Sequence, residues 1–101
     1  MRKTRVEQIT EDATTDCYSE EEEFSGWFCV LEDNLRTPQE CRAGRVQGVL
    51  VKLLQPQGGL AVHAKIRFEK QKGAVIVPIE HVVLSDKRQD VFVQAFKQWL
   101  R

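Results

Sequence analysis

The sequence predicts an α+β domain, on three observations. Phe24, Trp27, Phe28, Leu31 and Leu35 recur at i, i+3, i+4, i+7 and i+11, which is one face of an amphipathic helix. From Arg45 to Leu84 the pattern changes to β-branched and alternating runs broken by turn residues. Phe92, Ala95, Phe96 and Trp99 then return to helical spacing, with Val91 at their flank. A run of strands flanked by helices is the α+β pattern.

Taken in order, residues 1–17 show no strong period. Val6 and Ile9 suit a short strand or a loosely ordered stretch, and Thr10 to Asp16 reads as polar and turn-like. Ser19 and Glu22 form a Ser-x-x-Glu capping box, which starts a helix over 19–35. Glu20, Glu21, Glu22 and Glu23 crowd its first turn, where the macrodipole favours negative charge. Pro38 follows as a stop. Val46, Val49 and Val51 lead into Leu53 and Leu54 as a first strand, and Gln55 to Gly59 is a turn. Over 60–68, Leu60, Val62, Ala64, Ile66 and Phe68 alternate with Ala61, His63, Lys65 and Arg67, as expected of a half-buried antiparallel strand. Glu69 to Gly73 is the next turn, Ala74 to Ile79 a third strand, and Val82 to Leu84 a short fourth. Pro78 marks an edge or a strand end. Ser85 is the expected cap of the last helix. Short strands joined by tight turns suit a small curled antiparallel sheet of the SH3-like barrel kind, with one helix before it and one after, all in a single domain over 1–101.

At 101 residues the chain can bury one modest core. No apolar run reaches the ~18 residues of a membrane span, and the basic start, Met1 to Arg5, runs into acidic sequence instead of an export signal. A cytoplasmic, membrane-free protein is expected. Cys17, Cys29 and Cys41 are odd in number and twelve residues apart, so they match neither a disulfide framework nor close zinc pairs. They read as small, mostly buried thiols. No G-x-S-x-G, H-E-x-x-H or C-G-x-C-W pattern occurs, and His63 and His81 fall at polar or strand-end positions. The chain is therefore read as a non-enzyme.

The net charge is zero, but residues 1–40 hold eleven Asp or Glu against four Lys or Arg, and residues 41–101 hold four against eleven. No basic residue lies between Arg5 and Arg36, a stretch with ten carboxylates. Such asymmetry speaks about partners. Nucleic acid would have to bind through Lys65, Arg67, Lys70 and Lys72, a face with no stacking aromatic, against the repulsion of the acidic part. Weak nucleic-acid binding through this basic hairpin stays the lesser alternative, beside a solvated acidic face, a basic protein partner docked on it, and a hard cation. Ca²⁺ takes about six to eight oxygens from carboxylates, carbonyls and water. Glu11, Asp12 and Asp16 precede the first helix, Glu20 to Glu23 start it, and Glu32, Asp33 and Asn34 end it. The rise from Glu22 to Asp33 is roughly 16 Å, so the two ends cannot make one site. Asp33 lies where helix carbonyls are free and the dipole favours cations. An EF-hand loop is absent.

The string Tyr18-Ser19-Glu20-Glu21-Glu22, then Gly26-Trp27, then Leu31-Glu32-Asp33-x-Leu35-x-x-Pro38, resembles the CcbP-like family of calcium-binding proteins, small prokaryotic proteins first associated with cyanobacteria. The likeness continues at Ile66-Arg67-Phe68, Val77-Pro78-Ile79 and Gln94 to Trp99. The resemblance implies a compact β-rich domain with flanking helices that binds Ca²⁺ through surface carboxylates as an intracellular buffer or sensor. It implies Asp33 as the foremost ligand and Glu32 next to it, with Glu20, Glu21 and Glu22 as the acidic run after the tyrosine. It also makes Trp27 and Leu31 core residues and Gly26 a point of close packing. Asp16 joins the candidates as the loop carboxylate. Ser19 stands where the family usually has an acidic residue, Gln39 where it has an aromatic and Gln98 where it has another acid. Each change removes charge or a ligand, and affinity falls with ligand charge, so weak calcium binding is expected.

Overall fold

Helices cover one face of a five-stranded antiparallel sheet in the computed structural model, which describes residues 3–55, 60–69 and 71–100. In chain order the elements are α1 (Arg5–Thr14), α2 (Glu20–Asn34), β1 (Gln39–Ala43), β2 (Val46–Leu54), β3 (His63–Phe68), β4 (Ala74–Pro78), a 3₁₀ turn (Ile79–His81), β5 (Val82–Leu84) and α3 (Lys87–Trp99). The α+β class is as the sequence predicts. The sheet runs in the order β4-β3-β2-β1-β5, and among the described residues β4 and β5 are left as edges. The expected SH3-like barrel is thus replaced by an open sheet, because no β4–β5 ladder closes it.

The strand read over 60–68 starts only at His63, and Ile79 leaves its strand for the 3₁₀ turn; three further elements depart in kind from the sequence reading. The stretch read as a strand or loose segment is the helix α1. Thr4 caps it, its Oγ1 accepting from the Glu7 N–H at 3.1 Å, and Ile9 and Ala13 are buried on its inner side. Among the described residues there are therefore three α-helices, two of them before the sheet. The second departure is β1, a strand of mixed polarity in which Cys41 alone is buried. It turns into β2 through Gly44 and Arg45, with Ala43 paired to Val46. Gly44 has φ +63°, and Asp16 is the sole non-glycine with positive φ among the described residues. Positive φ at the first central position alone is the requirement of a II′ hairpin. The third is the cap of α3, which is Asp86, accepting from the Arg88 N–H at 2.9 Å, and not Ser85. The Gln55–Gly59 turn falls mostly on 56–59, outside the described residues, as does Lys70 of the next turn.

The core forms where the inner face of the sheet meets α2 and α3. Leu50, Leu53, Ala64, Ile66, Val82 and Leu84 supply the sheet side. Trp27, Leu31, Phe92 and Phe96 supply the helix side. Trp27 and Phe96 meet edge to face with centroids 5.3 Å apart, and Phe24 meets Trp99 at 5.0 Å, the geometry that aromatic quadrupoles favour. The helix α1 packs on α2 and α3, and Arg5 lies over the Phe92 ring at 5.2 Å. Gly26 is the point of closest approach: a Cβ there would meet the Ala13 carbonyl oxygen at 2.0 Å.

A bulge in β2 sets the outer face. The β2–β3 register shifts between Leu50 and Lys52. The extra residue lets Leu50 and Leu53 both face the core and turns Lys52 outward, opposite Lys65. Arg42, Arg67 and Ile76 share this outer face by register.

Candidate metal site

The acidic residues fall in two groups at the two ends of α2. At its start, Ser19 Oγ accepts from the Glu22 N–H at 3.2 Å, and Glu22 Oε2 accepts from the Tyr18 N–H at 2.9 Å. This reciprocal cap satisfies two backbone donors that the first turn leaves free. It also explains why a serine serves at position 19. Glu20, Glu21 and Glu22 are exposed, and Glu23 is half-buried beside Phe24. Asp16, with φ +60°, is exposed in the turn between α1 and α2.

This end carries a negative field that a neighbouring thiol registers. Burial, followed by the carboxylates of Glu22, Glu23 and Asp16, pushes the Cys17 thiol up from its ordinary range. The Cys17 Sγ lies 3.4 Å from the Glu22 carbonyl oxygen, which keeps it between α1 and α2. Burial alone raises the Cys41 thiol. All three cysteines are free, and Cys29 is exposed, against the expectation of mostly buried thiols.

At the far end of α2, Glu32, Asp33 and Asn34 are all exposed, and the last turn holds no basic side chain. The Leu35 N–H reaches the Leu31 carbonyl at 2.9 Å, and the Asn34 side chain donates to the Val30 carbonyl at 2.8 Å. The carbonyls that follow, at the negative end of the helix dipole, are the groups a cation can share with a carboxylate.

A side-chain link holds this end in place. The Arg36 N–H donates to Gln89 Oε1 at 2.8 Å, and Gln39 Nε2 bonds both the Arg36 carbonyl, at 2.8 Å, and Gln89. The exit of α2 is thereby tied to α3. The sequence reading missed Gln89 altogether and saw Gln39 as a lost aromatic. Past Arg36 a groove runs between Glu40 and Asp86, two further carboxylates that the sequence did not mark.

The donors fit a hard cation in type: carboxylates and helix-end carbonyls. They form no ready cage. Among the described residues no group of three His, Cys, Asp or Glu side chains stands close enough to hold an ion. Asp16, Glu20, Glu21 and Glu22 lie towards one end of α2 and Glu32 and Asp33 at the other, and the two sets stay apart. The one ion pair among the described residues, Lys3 with Glu11, leaves both sets unneutralised. No helix among the described residues is long and apolar enough to cross a membrane.

No protein-family model matches the sequence, and neither does any curated protein. Two solved structures match the fold. One is a calcium binding protein in its calcium-binding form, at 15% identity and TM-score 0.75, covering 97% of this chain and 95% of that one. The other is the crystal structure of Anabaena CcbP, at 15% identity and TM-score 0.79, covering 99% of this chain and 92% of that one. At such identity the likeness speaks for architecture, and over nearly its whole length this chain has the fold of CcbP.

Proposed function

We propose that the protein is a CcbP-like calcium-binding protein, a non-enzymatic buffer or sensor that holds Ca²⁺ at the C-terminal end of α2. The observation that carries this reading is the shared fold with a calcium-binding protein over nearly the whole chain, joined to an exposed Glu32-Asp33 pair on a helix end with no basic residue in its last turn. Asp33 is the first ligand in this reading and Glu32 the second. Helix-end carbonyls and water would complete the shell. Glu20, Glu21, Glu22 and Asp16 form a secondary acidic area where the helix dipole opposes a cation. With so few protein ligands in one place, affinity belongs in the weak range of calcium sites, about 10⁻⁴ to 10⁻³ M.

Calorimetry in moderate salt tests it. Wild type should give a saturable heat with Ca²⁺, and Asp33→Ala should weaken binding by about tenfold, the loss of one charged ligand. Backbone amide shifts should centre on 31–36. No heat and no shifts at millimolar Ca²⁺ would end the reading. A basic protein docked on the exposed acidic residues of α1 and α2 is the second reading. It predicts salt-sensitive binding that needs no calcium.

A further inference from the structure

We propose that the free edge of β4 pairs with the same edge of a second copy of this chain, joining two five-stranded sheets across a twofold axis. The argument starts from hydrogen-bond phase. The Ile79 N–H donates to the Val62 carbonyl at 3.0 Å. Val62 and Ile79 continue the register in which His63 faces Pro78 and Ala64 faces Val77. In an antiparallel ladder the bonded residues alternate with those whose N–H and C=O point the other way. Ile79, Val77 and Val75 therefore bond β3, and Ala74 and Ile76 aim their backbone groups at the open edge, while the Pro78 carbonyl caps the 3₁₀ turn. Pro78, with no N–H, stands where β3 asks nothing of it.

This edge lacks most of the usual defences. Natural edges are kept apart by charge, proline, shortness or bulges, and here the one proline, Pro78, lies at the end of the strand. The opposite edge, β5, has three residues. The segment Ala74-Val75-Ile76-Val77-Pro78 has five and carries no charge. Ile76 is 59% exposed and Val75 38%. The segment also reads nearly the same in both directions about Ile76, which is what an isologous contact requires. A twofold through Ile76 sets each Val75 opposite the partner's Val77 and each Ala74 opposite the partner's Pro78. Two hydrogen bonds form between the Ile76 backbones, and each Ala74 N–H shares the partner's Pro78 carbonyl, which also accepts within its own 3₁₀ turn. The two Ile76 side chains meet on the outer face and cover each other. Lys65 and its counterpart lie three strand spacings apart, ~14 Å, beyond the screening length at ordinary salt. A contact this small makes a dimer that forms at high protein concentration.

Sedimentation equilibrium from about 20 µM to about 1 mM tests the pairing, in calcium-free buffer so that it stands apart from the metal reading. Wild type should dimerise within that range. Ile76→Lys places like charges face to face, and Ile76→Pro deletes an outward N–H without touching the β3 ladder. Each should raise the dissociation constant at least about tenfold. Circular dichroism checks that each variant is folded, and the lysine variant decides the matter if the proline one is not. Amide exchange gives a second readout: protection of Ala74 and Ile76 should grow with protein concentration, while that of Val75 and Val77 stays constant. A monomer at 1 mM, or a dimer whose dissociation constant Ile76→Lys leaves unchanged, overturns the proposal, whether or not another protein binds this edge.

Discussion

At the residue scale, Gly26 shows how a single position sets the distance between two helices. The space for its missing side chain is filled by the Ala13 backbone, 2.0 Å from where a Cβ would sit. A backbone carbonyl inside a packed helix cannot swing away as a flexible side chain would. Gly26→Ala should therefore destabilise the fold by at least about 2 kcal/mol, despite alanine's better helix propensity. Urea denaturation measures this, and an unchanged or raised midpoint would show that α1 does not hold α2 so closely. The resemblance pointed to close packing at Gly26 from the sequence, but it could not say against what. The partner, Ala13, lies in a segment whose helical character the sequence had hidden.

At the element scale, the readable helices were those with long apolar stripes. The apolar positions read for α2 placed it to within one residue at each end, and those of α3 showed its helical face, with its cap one residue from the expected Ser85. The helix α1 has Val6, Ile9 and Ala13 at helical spacing and a Thr4-x-x-Glu7 cap, yet its threonines and acids resemble a turn. Tertiary packing against α2 and α3 decides it. The strand β1 was hidden for a related reason: with one buried side chain, its stability comes from ladders to β2 and β5 that no local pattern reveals. The site was legible in the same uneven way. The separation of Glu20–Glu23 from Asp33 follows from helix rise alone, while the Gln39–Gln89 link spans fifty residues. The caps offer the test at this scale. Ser19→Ala should cost about 1 kcal/mol in urea denaturation. Ser19→Asp, whose carboxylate can still accept the Glu22 N–H, should cost little. Equal losses in the two variants would mean that the hydroxyl has a role other than capping.

At the scale of the whole molecule, the charge asymmetry of the sequence becomes an asymmetry of layers. Carboxylates line α1 and α2, while Arg42, Lys52, Lys65 and Arg67 share the outer face of the sheet. With one ion pair among the described residues, the acidic layer repels itself, and any cation that relieves it will stabilise the fold. Bound calcium and mere screening can be separated by linkage. An ion that binds only the folded state adds RT ln(1 + [L]/Kd), about 1.4 kcal/mol at ten times Kd. For a chain of this size that corresponds to a rise of about 5–10 °C in Tm. Screening by sodium at matched ionic strength acts on all exposed carboxylates together and saturates with salt, not with calcium. In moderate salt, then, calcium should raise the Tm of wild type along a saturable curve whose midpoint matches calorimetry. Asp33→Ala should keep the sodium response and lose most of the calcium response. If calcium raises both melting curves alike, the acidic layer is acting as a diffuse field, and the end of α2 is not a site.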